Sequence, residues 1–590
     1  MPNLEELGEV VSADVLIVGG GFGGLPAAIR LKELHPELDI LVVDKANIGY
    51  GGGAPKVGGS LAYFGPDDSL DEIMEYHVKN LGCYLTDQEM FAKMYATING
   101  GVELLSDWGT SITRDEKGNF IVNKMEGSGG VYSITGCPVD VMEHIYFRAK
   151  EVGLRLMDKI QVLEIIKNGD TAVGAVGVGL LDSKCYIFKA KAQVWSTSSC
   201  TWKMHWALWN YGCGEGVAAA WRAGAEMRNA EFGVFADPAW KDHFWINSLY
   251  AAGTETLHNA RGDEISKAFK PDDWEDGFPE LYAAVVAKEL SAGNGPVFAD
   301  YSRNPVGHSH TDIHPISENA GKMKSHEYGH SSKNRDYHGY NLIKARQYGP
   351  QMDGQYEMYV IGGMFTPINV DHEMRTTVPG LWAIGDLVWS GSGFIGAQGQ
   401  FRRIGNGWGL GNALCTALIS VPTVAEFAKN NAMPEIDYSE AKRLKDEIFA
   451  PLYRDSKGAV TTHEAQWAAQ ETFTSLNWKY YKSKDRLEKA LARTAEVKDF
   501  LNYVKADDGH GLLKYHEAKS MALCSEIYYA ASMARTETRA QHVREDYPER
   551  DDKNWLKWVI CKEDNGRPAT RTAPVPIERY KFKPAGYEGR

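Results

Sequence analysis

The residues with the clearest chemical potential lie near the N-terminus. Gly19-Gly20-Gly21-Phe22-Gly23-Gly24 has the GxGxxG spacing, and Asp44 follows twenty residues after Gly24. Gly19 permits a tight turn, Gly21 lets a pyrophosphate approach the backbone, and Gly24 lets a helix pack on a strand. Phosphates then sit on the helix N-terminus and the acid takes a ribose hydroxyl, so the unit reads as dinucleotide-binding, with NAD and FAD both open. Lys45 adjoins the acid. Gly49-Tyr50-Gly51-Gly52-Gly53 and Gly58-Gly59-Ser60 come next, a backbone wall suited to a flat ring. Far downstream, Gly385-Asp386 closes a short apolar run. A glycine-rich stretch then carries Arg402, Arg403, Gly405, Asn406 and Trp408. An acid after a strand can hold ribityl hydroxyls, and a helix start can stabilise negative charge on a reduced flavin.

These groups need elements to hold them. Val15–Val18 reads as a buried parallel strand, Leu25–Leu34 as a helix, and Ile40–Val43 as the next strand, ending on Asp44. Leu381–Ile384 reads as another strand, and Leu410–Ile419 as the helix after the glycine-rich stretch. Ser439–Leu452 and Lys484–Val504 carry apolar residues at helical spacing among charges.

Composition narrows the function classes. The chain has 590 residues, enough for more than one core, and 64 Lys+Arg against 78 Asp+Glu give a net charge of −14. That balance argues against a nucleic-acid binder, which needs a basic face. The first apolar run is too short for a signal peptide, and no run of about 18 apolar residues exists, so no membrane span is expected. The eight cysteines are scattered without a CxxC pair. This fits a reducing, cytoplasmic setting and excludes an iron–sulfur cluster built on a tight cysteine run in this chain. No metal site is expected.

Two clusters invite a role. Seven of the 16 tryptophans, Trp195 to Trp245, fall within 51 residues, which suits core packing or an aromatic wall. Six of the 17 histidines, His308 to His338, fall within 31 residues of a Gly/Ser/Asn-rich stretch. That stretch reads as a solvated loop from which one histidine, His330 being the candidate, could serve a substrate.

The opening GGGFGG unit, VPGLWAIGD, RRIGNGWGLGNAL, and the run from Glu537 to Asp552 (ETRAQHVREDYPERDD) carry a resemblance. From about residue 12 to 560 the chain resembles the flavoprotein subunits of succinate dehydrogenase and fumarate reductase, a family that includes L-aspartate oxidase and the adenylylsulfate reductase alpha subunit. The resemblance implies FAD and an α/β fold: a Rossmann-type FAD-binding domain over 10–235 and 355–430, an inserted α+β capping domain over 236–354, and a C-terminal helical domain over 431–548. A Pro-rich tail, 549–590, is expected to be extended against the body or a partner. The cofactor contacts expected are Gly19, Gly21, Gly24, Asp44, Lys45, Gly51, Gly52, Gly53, Gly58, Gly59, Ser196, Thr197, Gly385, Asp386, Gly405, Asn406 and Trp408. The resemblance makes Glu537, Arg539, His542 and Arg544 mainly structural.

The departures redirect the chemistry. Family members that bind FAD covalently use a histidine in the loop after the second strand; here IGYGGGAPKVGGS has none, so FAD is expected to be non-covalent. Dicarboxylate enzymes of the family also place a His-Pro-Thr segment, a Pro-Arg-Asp arginine and a His-Tyr-x-Met-Gly-Gly histidine around the substrate. The corresponding stretches here are Glu231–Phe235, Phe278-Pro279-Glu280-Leu281 and Tyr356–Gly363, without those groups. Only Arg403 matches a family carboxylate position. The expectation is therefore an oxidoreductase acting on a non-fumarate, anionic or aromatic small substrate, with Arg403, Arg402 and His330 as candidate catalytic residues. An iron–sulfur, ferredoxin-like partner subunit is expected, within a homo- or hetero-oligomer. An adenylylsulfate reductase alpha-like subunit is one alternative. A flavin electron-transfer module without its own substrate is another.

Overall fold

The computed structural model describes residues 3–57, 59–124, 133–138, 140–203, 212–232, 235–240, 256–265, 279–300, 355–388, 396–397, 405–455, 459–474, 481–540 and 542–587. Its centre is a seven-stranded sheet. β1 (Glu9–Val18), β2 (Ile40–Val43), β3 (Arg155–Met157), β4 (Ile160–Asn168), β5 (Thr171–Gly179) and β6 (Cys185–Trp195) run in the order β3-β2-β1-β6-β5-β4, and β7 (Leu381–Ala383) pairs with β6. The β1, β2, β3, β6 and β7 pairings are parallel, whereas β5 joins β6 and β4 antiparallel. Continuous apolar runs form the parallel part because both faces are covered; Val15, Leu16 and Ile17 are fully buried, as are Val42 and Val43.

Helix α1 (Gly24–Leu34) packs behind the first turn with Leu25, Ala27, Ala28, Ile29 and Leu31 buried. Helix α2 (Glu215–Arg222) follows β6, and α3 (Gly405–Asn430) follows β7. Part of α3, Trp408–Asn430, is long and apolar enough to cross a membrane, but 67% of its apolar window is buried inside the fold. Helices α4 (Tyr438–Phe449), α5 (Thr462–Thr474), α6 (Lys484–Phe500) and α7 (Gly509–Ala534) form the C-terminal helical body. Each of α4 and α7 starts on an Asp whose carboxylate accepts a backbone N–H, Asp437 from Ser439 and Asp508 from Gly511.

A smaller four-stranded sheet stands apart, in the order Phe235–Trp240, Gln355–Gly363, Val297–Asp300, Thr256–His258, with helix Pro279–Ser291 beside it. Phe235 pairs with Gly363 and Trp240 with Met358, so Gln355–Gly363 bonds into this sheet and not into the large one. The tail is more structured than its prolines suggest. Lys557–Asp564 and Arg567–Pro574 make a hairpin that extends the Met227–Arg228 strand. Beyond it, Tyr580 donates to Asp87 Oδ1 at 3.2 Å and Gln88 Nε2 donates to the Phe582 carbonyl at 2.8 Å, fastening the chain end to helix Gln88–Asp107.

Candidate functional site

The glycine turn between β1 and α1 opens a cavity with about 1410 Å³ of empty space. Its floor is the carboxyl end of the parallel strands: Val18-Gly19 after β1, Val43–Ala46 after β2, Ser196–Ser198 after β6 and Gly385-Asp386 after β7. Parallel α/β sheets present ligands at this edge. Gly19 sits at φ +104°, and a Cβ there would lie 2.3 Å from the Ser196 carbonyl oxygen, so only glycine lets these two strand ends meet. A Cβ on Gly24 would lie 1.8 Å from the Gly19 carbonyl oxygen. Gly24 thus allows helix–strand contact and is not itself a wall of the cavity. A Cβ on Gly21 or Gly52 would meet nothing within 4 Å; both face the open space, as a cradle for backbone contact requires.

Asp44 organises the turn from below. Its Oδ2 accepts the Gly20 N–H and its Oδ1 the Ala46 N–H, both at 2.6 Å. Burial raises its carboxyl above the usual range, and these two N–H groups oppose the shift without cancelling it. Asp386 lies across the cavity, where burial raises its carboxyl to about 6 although the Ser198 hydroxyl favours the ionised form. The Gly385 N–H before it donates to Thr416 Oγ1 at 2.9 Å, and Asn412 Nδ2 donates to the Gly385 carbonyl at 3.0 Å, so α3 locks this strand end in place.

Most of the expected cofactor residues converge here. Gly19, Gly21, Asp44, Lys45, Gly51, Gly52, Gly53, Ser196, Thr197, Gly385 and Asp386 all line the cavity. Lys45 differs in its partners: its ammonium binds Glu215 and, at 3.0 Å, Glu517. Burial works against the charge, but the two carboxylates hold it well above the ordinary lysine value. Trp408 is a correction. It is fully buried against Phe64 and Phe91, and the cavity wall is made by Gly409, Leu410 and Ala413 of the same helix. A helical turn carries one side to the ligand and the other to the core, and the tryptophan takes the core side. Gly59 begins strand Gly59–Ala62 and Gly405 begins α3. Gly58, the Asn406 side chain, Arg402, Arg403, His330 and the whole His308–His338 cluster lie outside the described residues.

Glu215 and Gln161 line the cavity without having been singled out. Gly212-Cys213-Gly214-Glu215-Gly216, an acid in a glycine run at the start of a helix, was the available signal for Glu215. Gln161 sits mid-strand and carried none. Cys213, Glu215 and Glu517 bring a thiol and two carboxylates together as a metal site would. Lys45 and Lys203 occupy the positions between them, Lys203 pairing with Glu517 at 2.8 Å, so cations of the chain itself balance the acids. Of the tryptophan cluster, Trp195, Trp202 and Trp221 are buried. Trp202 stacks on Phe473 with ring centroids 3.6 Å apart and donates to Ser525 Oγ at 2.9 Å, which is core packing between large-sheet and helical-domain segments.

The donor set fits FAD. The cavity offers an open glycine turn at a helix N-terminus for a pyrophosphate, carboxylates at two strand ends for sugar or ribityl hydroxyls, and a glycine loop, 51–53, flat enough for a ring. Residues 14–260 match the model of an FAD binding domain, and residues 471–587 match that of the fumarate reductase flavoprotein C-terminal region; together they span more than half of the chain. The fumarate reductase flavoprotein subunit of Haemophilus influenzae is 23% identical, over 97% of this chain and 95% of the relative. Adenylylsulfate reductase from Archaeoglobus fulgidus superposes with a TM-score of 0.76 at 21% identity, over 98% of each chain. The E. coli quinol fumarate reductase subunit FrdA superposes with a TM-score of 0.77 at 18% identity, again over 98% of each.

Proposed function

The chain belongs to the fumarate reductase/succinate dehydrogenase flavoprotein family and is an FAD-dependent oxidoreductase; from that premise we propose that it holds FAD non-covalently and acts on a small anionic or aromatic substrate other than fumarate. One observation carries this reading. Phe235–Trp240 and Gln355–Gly363 pair side by side in the smaller sheet, and neither contains a histidine. These are the strands at or beside the two positions where dicarboxylate enzymes of the family place theirs. With no arginine in Phe278–Leu281 either, a second carboxylate would enter the site without a counter-charge.

FAD, when bound, supplies hydride exchange at its flavin ring. The chain's own work is positioning. The glycine turn and Asp44 hold the nucleotide end, Gly51–Gly53 wall the ring, and Arg403 clamps the substrate's anion, with Arg402 and His330 as the further candidates for catalysis. Non-covalent attachment follows from the loop between β2 and strand Gly59–Ala62, which has no histidine. Seven of the eight cysteines are buried and none forms a tight cluster motif, so onward electron transfer falls to an iron–sulfur partner subunit. An adenylylsulfate reductase alpha-like role is the second reading, favoured by the tail DYPERDDKNWLKWVICKED and by the likeness of fold.

Stopped-flow mixing of the reduced protein with fumarate and with adenylylsulfate tests the assignment. Fumarate should leave the flavin reduced, and fast reoxidation by it overturns the proposal. Reoxidation by adenylylsulfate selects the second reading. Reoxidation only through a protein partner makes the chain an electron-transfer module. Arg403→Ala should abolish reoxidation by whichever small molecule is accepted. Acid precipitation should leave the flavin in solution; flavin retained on the pellet overturns non-covalent binding.

A further inference from the structure

A second cleft, with about 1590 Å³ of empty space, lies where the large sheet, the helical body and the tail hairpin meet. Trp221 of α2, Leu444 of α4, and Tyr515 and Leu523 of α7 give it apolar walls, and Arg222 and Lys519 line it with charge. Three of its acids are already paired with cations, whereas Asp499 and Glu563 accept only from Asn502 and the Gly566 N–H. Glu164 pairs with Arg222 at 2.8 Å, and Glu440 and Glu447 both pair with Arg443. Among the described residues, no hydrogen bond or ion pair within 4 Å reaches the Lys519 ammonium, and Glu164 and Glu447 act on it only through the field. Burial and the Arg222 guanidinium lower its pKa from the ordinary lysine value. A partly buried cation with no acid in direct contact, beside a tryptophan and a tyrosine, gains stability when an anion reaches it.

We propose that this cleft is a binding site for a small monoanion with an apolar body, an aryl or alkyl carboxylate, with Lys519 as its anchor and Trp221 and Tyr515 against its apolar part. Its position makes it an effector site. Three elements reach both cavities: β4 places Gln161 at the first and Glu164 at the second, α2 places Glu215 at the first and Trp221 at the second, and on α7 Glu517 holds Lys45 while Lys519 lines the cleft. A ligand that shifts α2 or α7 therefore moves the carboxylates around Lys45, and by linkage cofactor occupancy alters the ligand's affinity by the same factor.

The FAD-loaded protein would be titrated with 8-anilinonaphthalene-1-sulfonate and the probe then displaced. 4-Phenylbutyrate should compete, and its neutral amide should compete at least tenfold less well. Equal competition by the amide overturns the anion anchor and needs no variant. Lys519→Met should weaken 4-phenylbutyrate at least tenfold with flavin content and melting temperature unchanged, and Lys519→Arg should restore it. Unchanged affinity in Lys519→Met overturns the site. Saturating 4-phenylbutyrate should change the FAD dissociation constant at least twofold, and an identical constant overturns the effector role. Neither binding result depends on which substrate the flavin serves, so failure here is distinct from failure of the proposed function.

Discussion

The cofactor cavity and the C-terminal junction are built on opposite principles. The cavity opens on backbone where glycines stand at its strand ends, so that a ligand can reach N–H groups between side chains such as Asp44 and Asp386. The junction is built on buried charged side chains. Arg535 pairs with Glu231 and Glu537 at 2.7 Å each, Arg539 clasps Glu537 and donates to the Cys83 carbonyl at 2.6 Å, and every one of these side chains is fully buried. Burial raises the Glu231 carboxyl despite Arg535, and lowers Lys482 to about 7 despite Glu231. His542 is held neutral, Nδ1 accepting from Lys482 at 3.1 Å while Nε2–H donates to the Arg535 carbonyl at 3.2 Å. An open site leaves room for its partner; a junction has its partners already and loses stability when one is removed.

Four substitutions probe that contrast. Glu537→Ala strands Arg535 and Arg539 without their shared acid and should cost about 3–5 kcal/mol in denaturant unfolding, the largest effect. Gly24→Ala forces a Cβ against the Gly19 carbonyl. It should release the flavin, read as the ratio of visible to protein absorbance, and destabilise by about 1–3 kcal/mol. Destabilisation with full flavin retention would mean that the turn does not serve the cofactor.

Asp386→Asn tests the cavity's electrostatics. Burial pushes the folded carboxyl up to about 6, against about 3.9 for an aspartate in water, so the folded, cofactor-free protein binds the proton more tightly. Its stabilising contribution is complete below about pH 4 and is lost as pH rises to about 6. The variant should therefore gain about 1–3 kcal/mol on the unaltered protein across that window. The smallest effect belongs to His372, whose Nε2 lies 2.9 Å from Asp87 Oδ2 and whose pKa that contact raises. Its contribution is complete below its unfolded pKa and fades as pH rises through the folded one. At 40% side-chain exposure it is worth under about 1 kcal/mol, so His372→Gln should lower the melting temperature slightly at pH 6 and not at pH 8.

Much of the cavity was legible because its signals are local. A glycine spacing, an apolar run and an acid at a strand end each arise from a handful of neighbouring residues. The structural reading of Glu537, Arg539 and Arg544 also agrees with their buried pairs, but there a resemblance and not spacing supplied it. Trp408 was misread because an aromatic residue in a glycine-rich stretch looks the same in sequence whichever side of the helix it takes.

By itself the sequence determined the dinucleotide turn, the parallel strands beneath it and the identity of Asp44 as their acid. Backbone conformation at glycine and burial of apolar runs follow from short-range sterics and solvation. Only the tertiary structure decided which charges meet. Lys45 finds Glu517, which is 472 residues away, and Arg535 finds Glu231, which is 304 residues away. Lys519 meets Glu164 and Glu447 only through their field, with no direct pair. Such pairings depend on how distant elements pack, and a buried charge must take whatever partner that packing delivers.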